Sequence, residues 1–148
     1  MKRALTAIVL ISASSCWAGG VDEADWQPVQ IGDWWEPQGY HYDGIAWYRV
    51  DFTVPATVKG RELVLSFGAV DESASVYVNG KEIGEFDQGA WGWDKRFEIP
   101  LGDAVKIGNS NGLAVRVRDR WNYGGIWKSV KLAAEKSPSH PPDGSKQP

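Results

Sequence analysis

Between residues 26 and 132 runs with apolar side chains at every second position are abundant, and no stretch of useful length repeats them at the helical period. Tyr48, Val50, Phe52 and Val54 alternate with Arg49, Asp51 and Thr53, the pattern of a strand with one buried face, halted at Pro55. Leu63, Leu65 and Phe67 repeat the pattern after the turn at Lys59-Gly60. Val76 and Val78 lead into Asn79-Gly80, the pair that most favours a two-residue hairpin, and residues 81–86 are the return strand. Phe97 and Ile99 mark a short strand ended by Pro100. Leu113, Val115 and Val117 face inward while Ala114, Arg116 and Arg118 face out, and residues 126–132 close the series. Short strands separated by Gly, Pro, Asn and Asp predict an all-β fold, an antiparallel β-sandwich of about 100 residues.

The chain has 148 residues, room for one such domain but not for a barrel enzyme of about 250 residues. Nine Trp, five Tyr and four Phe make up 12% of it, more aromatic surface than one small core needs. Some of these rings are therefore expected outside, where flat faces serve as a binding platform. The net charge is −3 and no dense Lys/Arg stripe appears, so nucleic acid is not an expected partner. A single cysteine, Cys16, rules out an internal disulfide. His41 and His140 lie far apart in unlike contexts, and no metal or cofactor is expected.

The two ends read differently from the middle. Met1-Lys2-Arg3 is a positive start, residues 4–13 are an apolar run, and Ser14, Ser15, Cys16, Trp17 and Ala18 form a mostly small-residue exit. That layout predicts a secretory signal over residues 1–18, too short to span a bilayer, with cleavage before Gly19. Removing Lys2 and Arg3 takes the net charge from −3 to −5, and the mature chain has no thiol. The protein is then secreted or periplasmic; in the alternative, Cys16 is lipidated and holds it on a membrane. An apolar N-terminal strand is the other reading of that run. The folded domain is placed at residues 21–132. Residues 133–148, rich in Pro and Ser, are expected to be a disordered tail.

Four segments carry a resemblance. They are Tyr42-Asp43-Gly44-Ile45-Ala46-Trp47-Tyr48-Arg49; the stretch from Phe67-Gly68-Ala69-Val70-Asp71-Glu72-Ser73 through Val76-Tyr77-Val78-Asn79-Gly80 to Gly84; Leu113-Ala114-Val115-Arg116-Val117; and Gly124-Gly125-Ile126-Trp127-Lys128-Ser129-Val130. In this order and spacing the chain resembles the N-terminal sugar-binding domain of the glycoside hydrolase family 2 enzymes, the beta-galactosidases, beta-glucuronidases and beta-mannosidases. The resemblance implies a jelly-roll sandwich of the galactose-binding type. In those enzymes the catalytic glutamates sit on a barrel beyond this domain, and no catalytic residue is expected here. The function implied is that of an exported, non-catalytic carbohydrate-binding domain. The alternatives are a domain that binds a protein partner, or one part of a split hydrolase whose barrel is a separate chain.

The candidate binding residues lie in loops. Trp34, Trp35, Tyr40, His41 and Tyr42 cluster in a Gly- and Pro-containing stretch before the first clear strand. Such rings either stack on the C–H face of a pyranose or fold back over the end of the sandwich. Trp91 and Trp93, set among glycines, form a second group with the same two readings. Asp119, Trp121 and Tyr123 form the third. By resemblance Asp119 matches an acidic residue that reaches the active site in beta-galactosidases and helps to hold the sugar; otherwise it is a surface ion pair with Arg118 or Arg120. Asp71-Glu72 is an adjacent carboxylate pair, but neighbours in extended chain point to opposite faces and could not flank one glycosidic bond, so they are read as a turn at a strand boundary. Trp47, Tyr48 and Trp127 are assigned to core or sheet positions.

Overall fold

The computed structural model describes residues 6–10 and 26–135. Nine strands build the fold: β1 (Thr6–Leu10), β2 (Gln27–Gln30), β3 (Gly44–Thr53), β4 (Glu62–Phe67), β5 (Ser73–Val78), β6 (Lys81–Asp87), β7 (Phe97–Pro100), β8 (Ser110–Asp119) and β9 (Val130–Glu135). A six-stranded sheet runs β2-β1-β3-β8-β5-β6 and a three-stranded sheet runs β7-β4-β9, with every pairing antiparallel. This is the all-β sandwich that the alternation predicts, with no α-helix among the described residues.

The register explains the alternation. Tyr48 pairs with Val115 and Val115 with Val76, so one row across β3, β8 and β5 points into the core, where all three are buried. Phe67 from β4 and Ile99 from β7 close over the row from the smaller sheet. A slip of one residue in β3 would turn Tyr48 out and Trp47 in, which fixes the pairing. Asn79 and Gly80 both adopt left-handed backbone, as a tight hairpin requires. Asn79 also ties the hairpin to β8: its Nδ2 donates to Asn111 Oδ1 at 2.8 Å, and its Oδ1 accepts the Gly112 N–H at 3.0 Å.

Three element boundaries differ from expectation. The last strand begins at Val130 rather than at residue 126, because the Ile126 N–H donates to the Tyr48 hydroxyl at 3.1 Å instead of to a neighbouring strand. That strand continues to Glu135, paired with Glu62, so residues 133–135 belong to the sandwich and not to the tail. Residues 136–148 lie outside the described residues. The apolar run assigned to an export signal contributes β1, which pairs with β2 and β3; Val9 is opposite Gln27 on one side and Tyr48 on the other. With Thr6, Ile8 and Val9 β-branched, the run is as suited to pairing as to export. The rest of residues 1–18 is outside the described residues.

Strand directions gather the loops after β4, β6 and β8 at one end of the sandwich, and the Gly32 and Trp35 N–H groups, which donate to the Ile126 and Gly124 carbonyls at 2.9 and 3.0 Å, bring the loop after β2 to the same end. Every candidate residue named from sequence is carried by those four connections or the strand ends beside them.

Candidate functional site

The site is built on a buried brace. Trp35 follows Trp34 in the loop after β2, and the two indoles part company: Trp34 stays half-exposed while Trp35 is 1% exposed. The Trp35 N–H donates to the Gly124 carbonyl at 3.0 Å, and its indole Nε1 donates to Tyr48 Oη at 2.5 Å. Two donors, from Trp35 and Ile126, thus converge on the Tyr48 hydroxyl. Burial pushes the Tyr48 phenol up to about 12, so it stays protonated. Gly124 and Gly125 are required here, since a Cβ on either would stand 2.5 Å and 2.7 Å from the Trp35 ring. Trp35 therefore belongs to the core and is corrected out of the ligand-contacting set.

Above the brace lies an aromatic shelf. Trp34 stacks on Trp127 with centroids 4.4 Å apart and an interplanar angle of 8°. Trp93 packs on both, 5.7 Å from Trp127 and 6.5 Å from Trp34, and Tyr123 meets Trp34 edge-on at 5.9 Å. The Trp127 indole donates to the Trp93 carbonyl at 2.7 Å, which locks the loop after β6 to the loop after β8. The Lys128 ammonium sits 4.2 Å from the Trp127 centroid. At that range it makes a cation–π contact. Gln38 steadies the loop from below, donating to the Trp34 carbonyl at 2.9 Å while accepting the Gln30 N–H at 2.7 Å. Trp127, assigned to the core from its motif, is instead the hub of the shelf. Only its spacing to Trp34 and Trp93 in three dimensions reveals that.

The other candidates divide. Trp91 and Trp121 are exposed rings carried by the same two loops as Trp93 and Tyr123. Tyr40 packs against the core, and its hydroxyl donates to the Pro28 carbonyl at 3.2 Å. Tyr42 packs there too, with its ring 6.3 Å from Trp35. His41 is exposed and makes no hydrogen bond or ring contact among the described residues. It is not gathered into the shelf.

Beneath the shelf are three buried carboxyls. Asp119 is 1% exposed, Glu72 3% and Asp71 6%. Asp71 and Glu72 lie at the entrance to β5, the turn the sequence predicts, with Glu72 in left-handed backbone. Asp119 is not the surface ion pair expected with Arg118 or Arg120: the Arg120 guanidinium reaches Glu72 instead, at 3.7 Å. Asp119 Oδ1 accepts the Trp121 N–H at 2.9 Å, while no N–H or hydroxyl group reaches Asp119 Oδ2, Asp71 Oδ2 or Glu72 Oε2 within hydrogen-bond range. Burial first, and then the neighbouring carboxylates of Asp119, Glu72 and Glu36, push Asp71 up to about 8. The proton it keeps supplies the missing donor toward Asp119. Burial also raises Asp119, opposed by the Trp121 N–H and by that bond from Asp71. At 1% exposure Asp119 lies beneath the shelf rather than among its exposed rings. Glu36 faces the same loop, its carboxylate accepting the Gly124 N–H at 3.3 Å. Among the described residues no group of three or more His, Cys, Asp or Glu is arranged to hold a metal ion.

Comparison with known proteins places this geometry. The model of the glycosyl hydrolases family 2 sugar binding domain matches residues 26–136. A putative beta-glucuronidase of Formosa agariphila is 31% identical, over 81% of this chain and 13% of that protein. A beta-galactosidase of Thermoanaerobacter pseudethanolicus is 32% identical, over 62% of this chain and 14% of that protein. Among solved structures, a glycosyl hydrolase family 2 member from Bacteroides cellulosilyticus superposes with a TM-score of 0.72 at 21% identity, covering 88% of this chain and 20% of that one. The Ruminococcus gnavus beta-glucuronidase gives 0.69 at 19%, covering 76% and 23%. These superpositions establish the shared fold. The chain spans 11–14% of the length of the curated relatives it matches.

Proposed function

This chain belongs to the family of glycosyl hydrolase family 2 sugar binding domains, and from that premise we propose that it is an exported, non-catalytic carbohydrate-binding module. The observation that carries the reading is the shelf of Trp34, Trp93 and Trp127 edged by Tyr123. Indole faces accept the C–H side of a pyranose, and a stack fixed by its own ring contacts and by the Trp127–Trp93 hydrogen bond has little freedom to lose on binding. Polar groups border the rings: Asp33, whose carboxylate accepts the Trp34 N–H, together with Asn122 and the Asp94–Lys95 pair. These suit the hydroxyls of a sugar lying on the shelf. The export half of the proposal rests on the positive start, apolar run and small-residue exit of residues 1–18.

The test is a glycan-array screen of the whole chain beside Trp34→Ala and Trp93→Ala, each checked for a native circular dichroism spectrum. Selective binding lost in both folded variants is expected. Binding that persists unchanged in both, or no binding by the native protein, would overturn the reading.

A further inference from the structure

We infer that the ligand of this module is an extended oligosaccharide of several units rather than a single sugar, a reading that rests on the carbohydrate-binding function proposed above. The exposure of the rings argues for it. Trp91 is 82% exposed, Trp121 59%, Tyr123 55% and Trp93 45%, and all four lie at the shelf end of the sandwich. A site for one sugar encloses it and buries most of its surface. Rings this open each offer one face, so a monosaccharide resting on any of them keeps its opposite face in water, and useful affinity needs several rings engaged at once.

The layout of the rings supplies several. Trp91 and Trp93 are two residues apart on the loop after β6, and Trp121 and Tyr123 are two apart on the loop after β8. Two residues of chain span at most about 7 Å. Each loop therefore anchors an outer ring on the backbone within about 7 Å of the anchor of a shelf ring. The loops are tied where the Trp127 indole donates to the Trp93 carbonyl.

Trp91 and Trp121 also lack a structural reason to be tryptophan. Neither makes a ring contact or side-chain hydrogen bond among the described residues, whereas every shelf ring is held by another ring. Unpacked tryptophans flanking a packed stack extend the platform beyond the footprint of one sugar. Rings this exposed among the described residues match a chain that passes over them.

Isothermal titration of the whole native chain with ladders of cello-, xylo-, manno-, galacto- and chito-oligosaccharides, one to six units long, tests this. Trp91→Ala, Trp121→Ala and Trp34→Ala are titrated beside it. For the ladder that binds, affinity is expected to rise with length by at least about tenfold between the shortest and longest members. Trp91→Ala and Trp121→Ala are expected to keep the short-chain affinity and lose that gain, while Trp34→Ala loses binding at every length. A monosaccharide bound as tightly as its hexamer overturns the extended-ligand inference alone, and length dependence intact in both outer-ring variants overturns the part given to Trp91 and Trp121. No binding from any ladder to the native protein overturns the carbohydrate-binding reading beneath it.

Discussion

Trp35 gives its indole N–H to the Tyr48 hydroxyl, 2.5 Å away, and through that contact a core strand holds the loop that carries the shelf. The same hydroxyl accepts the Ile126 N–H, so one oxygen fixes both the loop after β2 and the loop after β8. Trp34 and Trp127, the stacked pair, each sit one residue from these anchor points.

Tyr48→Phe leaves two buried N–H donors without an acceptor. The expected loss is about 1–3 kcal/mol of stability, read by urea unfolding. Glycan affinity should fall too, because Trp34 and Trp127 lose their registration. Unchanged stability would show that the hydroxyl does not hold the loops.

Gly124→Ala places a methyl 2.5 Å from the Trp35 ring and 2.6 Å from Asp119 Oδ2, with no empty space on either side. Overpacking of this kind costs about 1–3 kcal/mol or more. Gly89→Ala is the comparison. Its Cβ would meet only the flexible end of Arg120 at 3.7 Å, leaving the left-handed backbone as the main cost, about 1 kcal/mol. Thermal melts should rank Gly124→Ala well below Gly89→Ala.

Asp71 holds its proton in the folded state up to about pH 8, whereas the unfolded chain releases it near the ordinary value of 3.8. Its contribution to stability is fully present below about pH 4 and is lost as pH rises through about 8, the reverse of a salt-bridged carboxylate. Asp71→Asn removes that proton from the balance. Urea midpoints across pH 5–9 should fall less steeply for the variant than for the native protein; parallel profiles would exclude Asp71 as the titrating group.

Export predicts an N-terminus at Gly19. Intact-mass analysis of the protein recovered from the periplasm or medium of an expressing bacterium should show loss of the first 18 residues. Protein that stays in the cytoplasm with residues 6–10 attached would instead favour β1 as a permanent strand of the larger sheet.

Much of the fold was legible in the chain because the sheets bury one face each. Alternation around Tyr48, Leu65, Val76 and Val115 marks the core, and Asn79-Gly80 marks the hairpin. The site was legible by location and not by role. Aromatic residues in Gly-rich loops point to the correct end of the sandwich, yet nothing local separates Trp34 from Trp35, since both lie in one turn and only the hydrogen bond to Tyr48 decides which goes inside. Asp119 reads as exposed because Arg118 and Arg120 flank it. Its partner, Asp71, is 48 residues away in sequence, and no periodicity encodes that meeting. The extent of β9 was masked by Ile126, whose burial looks like a strand residue although its backbone serves Tyr48.

The most direct test of the shelf as a carbohydrate site follows the tryptophan indole N–H signals by two-dimensional NMR while the hexasaccharide ladders are added to the native protein. The signals of Trp34 and Trp93 should move to saturation, with those of Trp91 and Trp121 following, while buried Trp35 and the opposite-face Trp47 stay in place. Movement confined to Trp47, or none at any tryptophan under saturating sugar, would contradict it.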